Sequence, residues 1–196
     1  DIVAAIDATA EALPFPGGHF DASMATFTVH QWQDLDAGLR EFVGEVAAAG
    51  CGVFIVHARK AWLKGLSPKE NREVPPLRYA LVHQLKRDFP QLTIAINGGM
   101  NSNTQIAEQL QVVDSVMVGR EAYHNPWLLS DWDALFYGAE PFEQTREAVE
   151  AQMVDYMARE MREHGTPWSH IARHMLGLRH GMPGARHWRQ VWSDHR

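Results

Sequence analysis

The chain contains a single cysteine, Cys51, in 196 residues, which excludes an internal disulfide and leaves no cysteine-based zinc or iron–sulfur site to assemble. No uninterrupted apolar stretch approaches the roughly 18 residues a membrane span needs, and no basic start runs into an apolar segment as a secretory signal does. A membrane anchor and a metal are therefore not expected, and a cytoplasmic setting is. Positive charge is also in deficit, with Lys+Arg 18 against Asp+Glu 24 and a net charge of -6, which as an average speaks against a nucleic-acid partner. What is present is 45% hydrophobic residues at a mean hydropathy of -0.30, enough for one sizeable core and a small appended domain.

The average charge hides two basic segments. From His57 to Arg87 there are eight Lys/Arg against two acids, and from Arg159 to Arg196 seven arginines against three acids, with six histidines besides. Everything else is strongly acidic; Arg146, for one, belongs to that acidic remainder. Two cationic segments in an acidic chain are the footprint of a polyanion-binding face. The plainer reading is a pair of solvated helix faces, and charge alone does not separate the two.

Residues 1–33 carry little pattern: a short alanine-rich helix, a break at Pro14-Phe15-Pro16-Gly17-Gly18, and a strand over Ala25–Val29 are the elements expected there. From Asp34 the pattern sharpens, since Leu35, Leu39, Phe42, Val43 and Val46 recur at helical spacing and Gly50 stands where a C-terminal cap belongs. Val53-Phe54-Ile55-Val56 follows as a continuous apolar run, the mark of a parallel strand covered on both faces. Cys51, at the start of that strand, is expected to pack as core. The unit repeats with a helix on Leu77, Leu81, Val82 and Leu85, a strand Leu92–Ile96, a helix capped at Asn103 or Thr104, and a strand Val116–Val118. Helix and strand in alternation predict an α/β fold with a parallel sheet. Beyond Gly138-Ala139-Glu140-Pro141 the strands stop, and two helices are expected over Thr145–His164 and Pro167–Arg179. The organisation read from this is an unassigned segment 1–33, an α/β part 34–138 and a helical part 139–196.

The polar chemistry sits where strands end. Asn97-Gly98-Gly99 directly follows one apolar strand, and Gly119-Arg120 follows the next. Glycines let backbone N–H groups approach a phosphate closely, a following helix start adds its positive end, and an arginine supplies a forked cation. In a (β/α)8 barrel the loops after the last two strands form the usual phosphate site. The alternative is that the glycines only permit tight strand-to-helix turns. His57 ends the preceding strand, where a side chain faces the ligand side of a barrel and could donate to a flavin edge or a phosphate.

Taken together, the block from His57-Ala58-Arg59-Lys60 through Lys69-Glu70-Asn71-Arg72 to Pro75-Pro76-Leu77, then Ile96-Asn97-Gly98-Gly99 and Val116-Met117-Val118-Gly119-Arg120, resembles the tRNA-dihydrouridine synthases. The first block is similar to their A subfamily, which reduces uridine at position 20/20a of the tRNA D-loop. The resemblance extends through Arg173-His174-Met175-Leu176-Gly177-Leu178 and Gly181–Arg189. It implies the C-terminal half of an FMN-binding TIM barrel followed by a small all-α tRNA-binding domain. It also implies NADPH as reductant of the flavin, which passes a hydride to C6 of a flipped-out uridine. Carried over residue by residue, His57, Asn97, Gly98, Gly99, Gly119 and Arg120 would contact FMN. Lys69 and Arg72 would be a tRNA-reading pair, with Arg186 and Arg189 as the matching pair near the end.

The departures are as informative. The family's catalytic cysteine, which protonates C5 of the uracil, has no counterpart here, and Cys51 sits at the opposite end of its strand. The flavin-contacting lysine expected before the Asp34 helix is also missing, for Ala25–Trp32 holds no lysine. No residue of this chain is thus assigned as catalytic. The chain is expected to be a fragment inactive by itself, whose missing barrel half belongs to the full-length protein. A non-catalytic tRNA-binding module and a different phosphate-binding barrel enzyme stand as the other readings.

Overall fold

The computed structural model describes residues 35–60, 62, 65–141 and 143–194, and the expectations for residues 1–33 lie outside them. The chain divides into two compact units: the first runs to Met100 and takes in Thr104–Met117, and the second comprises Asn101–Asn103 and the chain from Val118 onward. The helical part expected from residue 139 begins inside the second unit.

In the first unit, helix α1 (Leu35–Ala48) buries Leu39, Val43 and Val46. It ends at Gly50, whose φ of 103° is the left-handed cap that glycine adopts without a Cβ penalty. Strands β1 (Val53–His57), β2 (Thr93–Asn97) and β3 (Ser115–Met117) form a parallel sheet in sequence order, joined by helices α2 (Tyr79–Asp88) and α3 (Asn103–Leu110). The register aligns His57 with Asn97 and Asn97 with Met117, so the three strands finish level with one another.

Two expectations for β1 need correction. The strand is not covered on both faces: Phe54, Ile94 and Ile96 are buried on one side, whereas Val53 and Ile55 on the other are 61% and 63% exposed. The apolar run reported side chains that suit burial, and α2 packs against one face of the sheet; no composition states whether the second face is covered among the described residues. Cys51 is not core either. It lies before β1, half-buried, with its thiol 3.3 Å from the Val53 carbonyl, which accepts a weak S–H bond.

Asp114 joins the entry of β2 to α2. Its Oδ2 accepts from the Ile94 backbone N–H at 2.8 Å and lies 2.8 Å from Lys86 Nζ, which also donates to the Leu92 carbonyl at 2.8 Å. The Ile94 N–H, and then Lys86, hold the Asp114 carboxyl below the usual aspartate range. A depressed acid stabilises the fold above its ordinary pKa, and that contribution is lost as pH falls through the folded-state value. Asp114→Asn should cost about 1 kcal/mol near neutrality. It should also flatten part of the acid limb of melting temperature against pH; matching acid limbs in parent and variant would contradict this.

The second unit contains only helices among the described residues. These are α4 (Arg120–His124), a 3-10 segment (Pro126–Asp131), α5 (Trp132–Tyr137), α6 (Arg146–His164), α7 (Trp168–Ala172) and α8 (Ala185–Ser193). Thr145 caps α6 by accepting from the Ala148 N–H at 3.2 Å, and Gly165 ends it with φ 67°. Met157, Ala172, Met175 and Leu178 form a core on which Trp127, Trp188 and Trp192 pack. The single helix expected over Pro167–Arg179 is not formed. Helix α7 stops at Ala172, and bonds from His174 to Ile171, Met175 to Ala172 and Leu178 to Met175 carry the chain onward in three-residue steps.

Candidate cofactor turn and cationic surfaces

At the carboxyl end of β2 the chain turns through Gly98 and Gly99, with φ of 119° and 70°. A Cβ on Gly98 would lie 3.2 Å from Leu77 Cδ2 and 3.4 Å from His57 Cε1, and one on Gly99 would lie 2.5 Å from Leu77 Cδ1. The positive φ at both positions is reason enough for both glycines, and the tight-turn reading is correct as far as it goes. Of the two, Gly98 is buried and Gly99 is exposed, so it is at Gly99 that the turn offers backbone a phosphate can approach. Tyr79, at the start of α2, donates to the Gly98 carbonyl at 2.8 Å and accepts from Gln105 Nε2 at 3.0 Å. Burial pushes its phenol up, so it remains a donor there.

His57 Nδ1 lies 2.7 Å from Asn97 Oδ1. An amide oxygen only accepts, so Nδ1 carries the proton. Contact with a ligand then has to use Nε2, an acceptor in the neutral ring and a donor only in the imidazolium. The expectation that His57 donates to a ligand is thus narrowed to its charged form.

Gly119 and Arg120 open α4 in the second unit. A Cβ at Gly119 meets no described atom within 4 Å, in contrast to Gly98 and Gly99. Packing supplies no reason for glycine at this position.

The two basic segments resolve into cations that hold the fold and cations that face outward. Arg59 donates to the Glu73 and Pro75 carbonyls, Arg78 pairs with Asp36 at 3.1 Å, and Lys86 is held by Asp114. Arg179 grips Glu150 at 2.6 Å and Glu147 at 3.0 Å and lies over Trp188. Arg146, far from being an indifferent residue of the acidic remainder, stacks on Trp127 at 4.3 Å and donates to the Leu178 carbonyl. Lys69 and Arg72 are exposed at either end of a 3-10 turn, Glu70–Arg72. With three residues per turn they share one face. Arg186 and Arg189 are exposed on α8, again three apart, with Ala185, Trp188 and Trp192 turned inward. The sequence reading missed α8, although Trp188 and Trp192 at i and i+4 after buried Ala185 are a helical signal.

Parallel strands that end level with one another, joined by helices, define an α/β protein with a parallel sheet. Residues 27–196 match the family model described as dihydrouridine synthase, and the chain belongs to that family. It is 52% identical over 162 residues to the tRNA-dihydrouridine(20/20a) synthase of Shewanella oneidensis, covering 83% of this chain and 48% of that protein. The enzymes of the same name from Vibrio cholerae and Escherichia coli K12 are 51% and 52% identical over 163 residues, covering 83% of this chain and 50% and 47% of theirs. The chain spans about half the length of the curated relatives it matches.

Proposed function

We propose that this chain serves the reduction of uridine to 5,6-dihydrouridine at position 20/20a of the tRNA D-loop, as part of an FMN-dependent oxidoreductase that uses NADPH. The observation that carries the reading is the match across 83% of the chain to relatives named for that reaction. His57, Asn97, Gly98 and Gly99, and likewise Gly119 and Arg120, are proposed as FMN contacts. The turn beside His57 fits such a group because it presents exposed glycine backbone at Gly99. FMN, when bound, supplies the hydride that NADPH replenishes. Asn97 holds the proton on His57 Nδ1, which leaves Nε2 for ligand contact. Arg120 supplies a charged fork for a phosphate. Lys69 and Arg72, and Arg186 and Arg189, are proposed as tRNA contacts, and a cytoplasmic location goes with that partner. Among the described residues no helix is long and apolar enough to cross a membrane, and no group of three or more His, Cys, Asp or Glu is placed to hold a metal.

Cys51 lies at the amino end of β1 and His57 at its carboxyl end, so Cys51 is not assigned the proton transfer to uracil. That placement favours a second reading, in which this chain by itself binds tRNA without completing the reduction.

Gly119→Ala tests the cofactor assignment. A methyl there meets open space, so melting temperature should stay within about 1 °C while flavin retained after loading falls several-fold, because a ligand approaching the backbone meets the new methyl. Equal flavin content in parent and variant, or none in either, would count against FMN at this turn and favour the RNA-binding reading.

A further inference from the structure

We propose that Arg59 and Asn71 are positioning residues that hold Lys69 and Arg72 as a fixed array for an RNA strand, an inference that rests on the reading of that pair as RNA contacts. Some twenty residues separate β1 from α2, and the 3-10 turn is their one helical element among the described residues. A loop of that length, if mobile, would have to be ordered on binding at a cost in affinity. Here it is tied at three places.

Its base is closed by an antiparallel bridge between Arg59 and Leu77 and by the Arg78 N–H donating to the Ala58 carbonyl at 2.6 Å. From that base the Arg59 guanidinium reaches back across the loop and donates from Nη1 to the Glu73 carbonyl at 2.8 Å and to the carbonyl of buried Pro75. One planar cation thereby fixes the strand that leaves the 3-10 turn. On the other flank the Asn71 amide pairs with the backbone of Trp62 in both directions. Nδ2 donates to the Trp62 carbonyl at 2.8 Å, and Oδ1 accepts the Trp62 N–H at 2.6 Å. Ser67 and Glu70 start the turn, with Glu70 Oε2 accepting the Ser67 N–H at 2.8 Å and the Ser67 hydroxyl at 2.6 Å.

The division of labour follows from these partners. Arg59 counts among the cations of the basic segment, yet its guanidinium is directed at main-chain carbonyls of its own loop. Asn71 carries no charge at all. Lys69 and Arg72 lie on one face between the two tethers, exposed. Removing a tether keeps every outward charge in the molecule and loses the order of the array. Removing Lys69 keeps the order and loses a charge.

Salt dependence separates the two effects, because the slope of log affinity against log salt counts phosphate contacts and not their preorganisation. The experiment measures binding of this chain to unmodified tRNA across a salt series, with amide exchange at Trp62 and Arg72 followed alongside. Asn71→Ala and Arg59→Lys should each weaken binding about tenfold with unchanged slope and faster exchange in the loop. Lys69→Ala and Arg72→Ala should each lower the slope by about 0.7 to 0.9, and Lys69→Ala should leave exchange alone. Arg59→Lys keeps the charge and most of the stem, so it carries the test if Asn71→Ala does not fold. Unchanged affinity in both tether variants overturns the inference while leaving the RNA reading intact. A slope reduced by Arg59→Met as much as by Arg72→Ala makes Arg59 a phosphate contact and overturns its positioning role. No effect of Lys69→Ala and Arg72→Ala together overturns the RNA reading, and the inference falls with it.

Discussion

Gly177→Ala is expected to destabilise the second unit by about 3 kcal/mol, at the upper end for one inserted methyl in a packed interior. The new Cβ would lie against the His124 carbonyl oxygen, and 2.8 Å from both the His124 carbonyl carbon and the Tyr123 carbonyl oxygen. These are backbone atoms of helix α4, so no side-chain rotation relieves the overlap, and the helix itself has to move. It is fastened on the same side by Tyr123, whose hydroxyl lies 3.0 Å from His174 Nδ1. The control is Gly165→Ala. Gly165 has φ 67° with nothing within 4 Å of its would-be Cβ, so that variant carries only the left-handed backbone penalty of about 1 kcal/mol. For a chain of this size the melting point should fall by roughly 6–12 °C in Gly177→Ala and by a third of that in the control. Equal shifts in the two variants would mean that α4 and the Gly177 turn are not in the contact described. Because Arg120 opens α4, a displaced helix should also release flavin, which links a glycine of the terminal resemblance block to a residue proposed for the cofactor.

That glycine shows where sequence reading stops. Helices α1, α2 and α6 announce themselves through apolar residues at three- and four-residue spacing bounded by Gly50, Thr145 and Gly165, because helix formation and capping are decided within a few neighbouring residues. The parallel sheet was legible for the same local reason. Ala172, Met175 and Leu178 fit a continuing helix equally well, and the chain tightens there into turns that bring Gly177 onto a backbone fifty residues earlier. Nothing local encodes that approach. The open face of β1 is legible from the number of strands, since three cannot close a barrel and Val53 and Ile55 are left exposed, although the apolar run itself reads as covered on both sides. In the candidate site, the position of His57 at a strand end was readable, but the Asn97 partner that decides which ring nitrogen carries the proton was not, being forty residues away. Charge patterning was the least discriminating signal of all. Arg59, Arg78, Lys86 and Arg179 contribute to the basic count exactly as outward cations do, and only their partners reveal them as internal ties.

Removing Arg186 and Arg189 together should weaken tRNA binding about a hundredfold near physiological salt and lower the log–log salt slope by about 1.5, if both contact phosphates. The expectation comes from the two faces of α8. Ala185 is buried and Trp188 and Trp192 pack on the unit's core, whereas Arg186 and Arg189 are exposed, Arg189 at the flank of that packed stripe. Their removal therefore leaves the packing in place, and the melting temperature should hardly change. Arg146 is unsuitable as the comparison, because its guanidinium stacks on Trp127 and ties down the Leu178 carbonyl. Arg40, outside both basic segments and paired with Asp88 on the surface, is the better one, and Arg40→Ala should leave the slope alone. Arg179→Ala adds a second comparison from within the terminal segment: with Glu147 and Glu150 left without their cation, it should lower stability and leave the slope per folded molecule unchanged. A base-reading arginine would give a different signature, a change in which uridine is modified with the slope nearly intact. If Arg40→Ala lowers affinity and slope as much as the α8 pair does, attraction to tRNA is spread over the whole surface and α8 is not its contact.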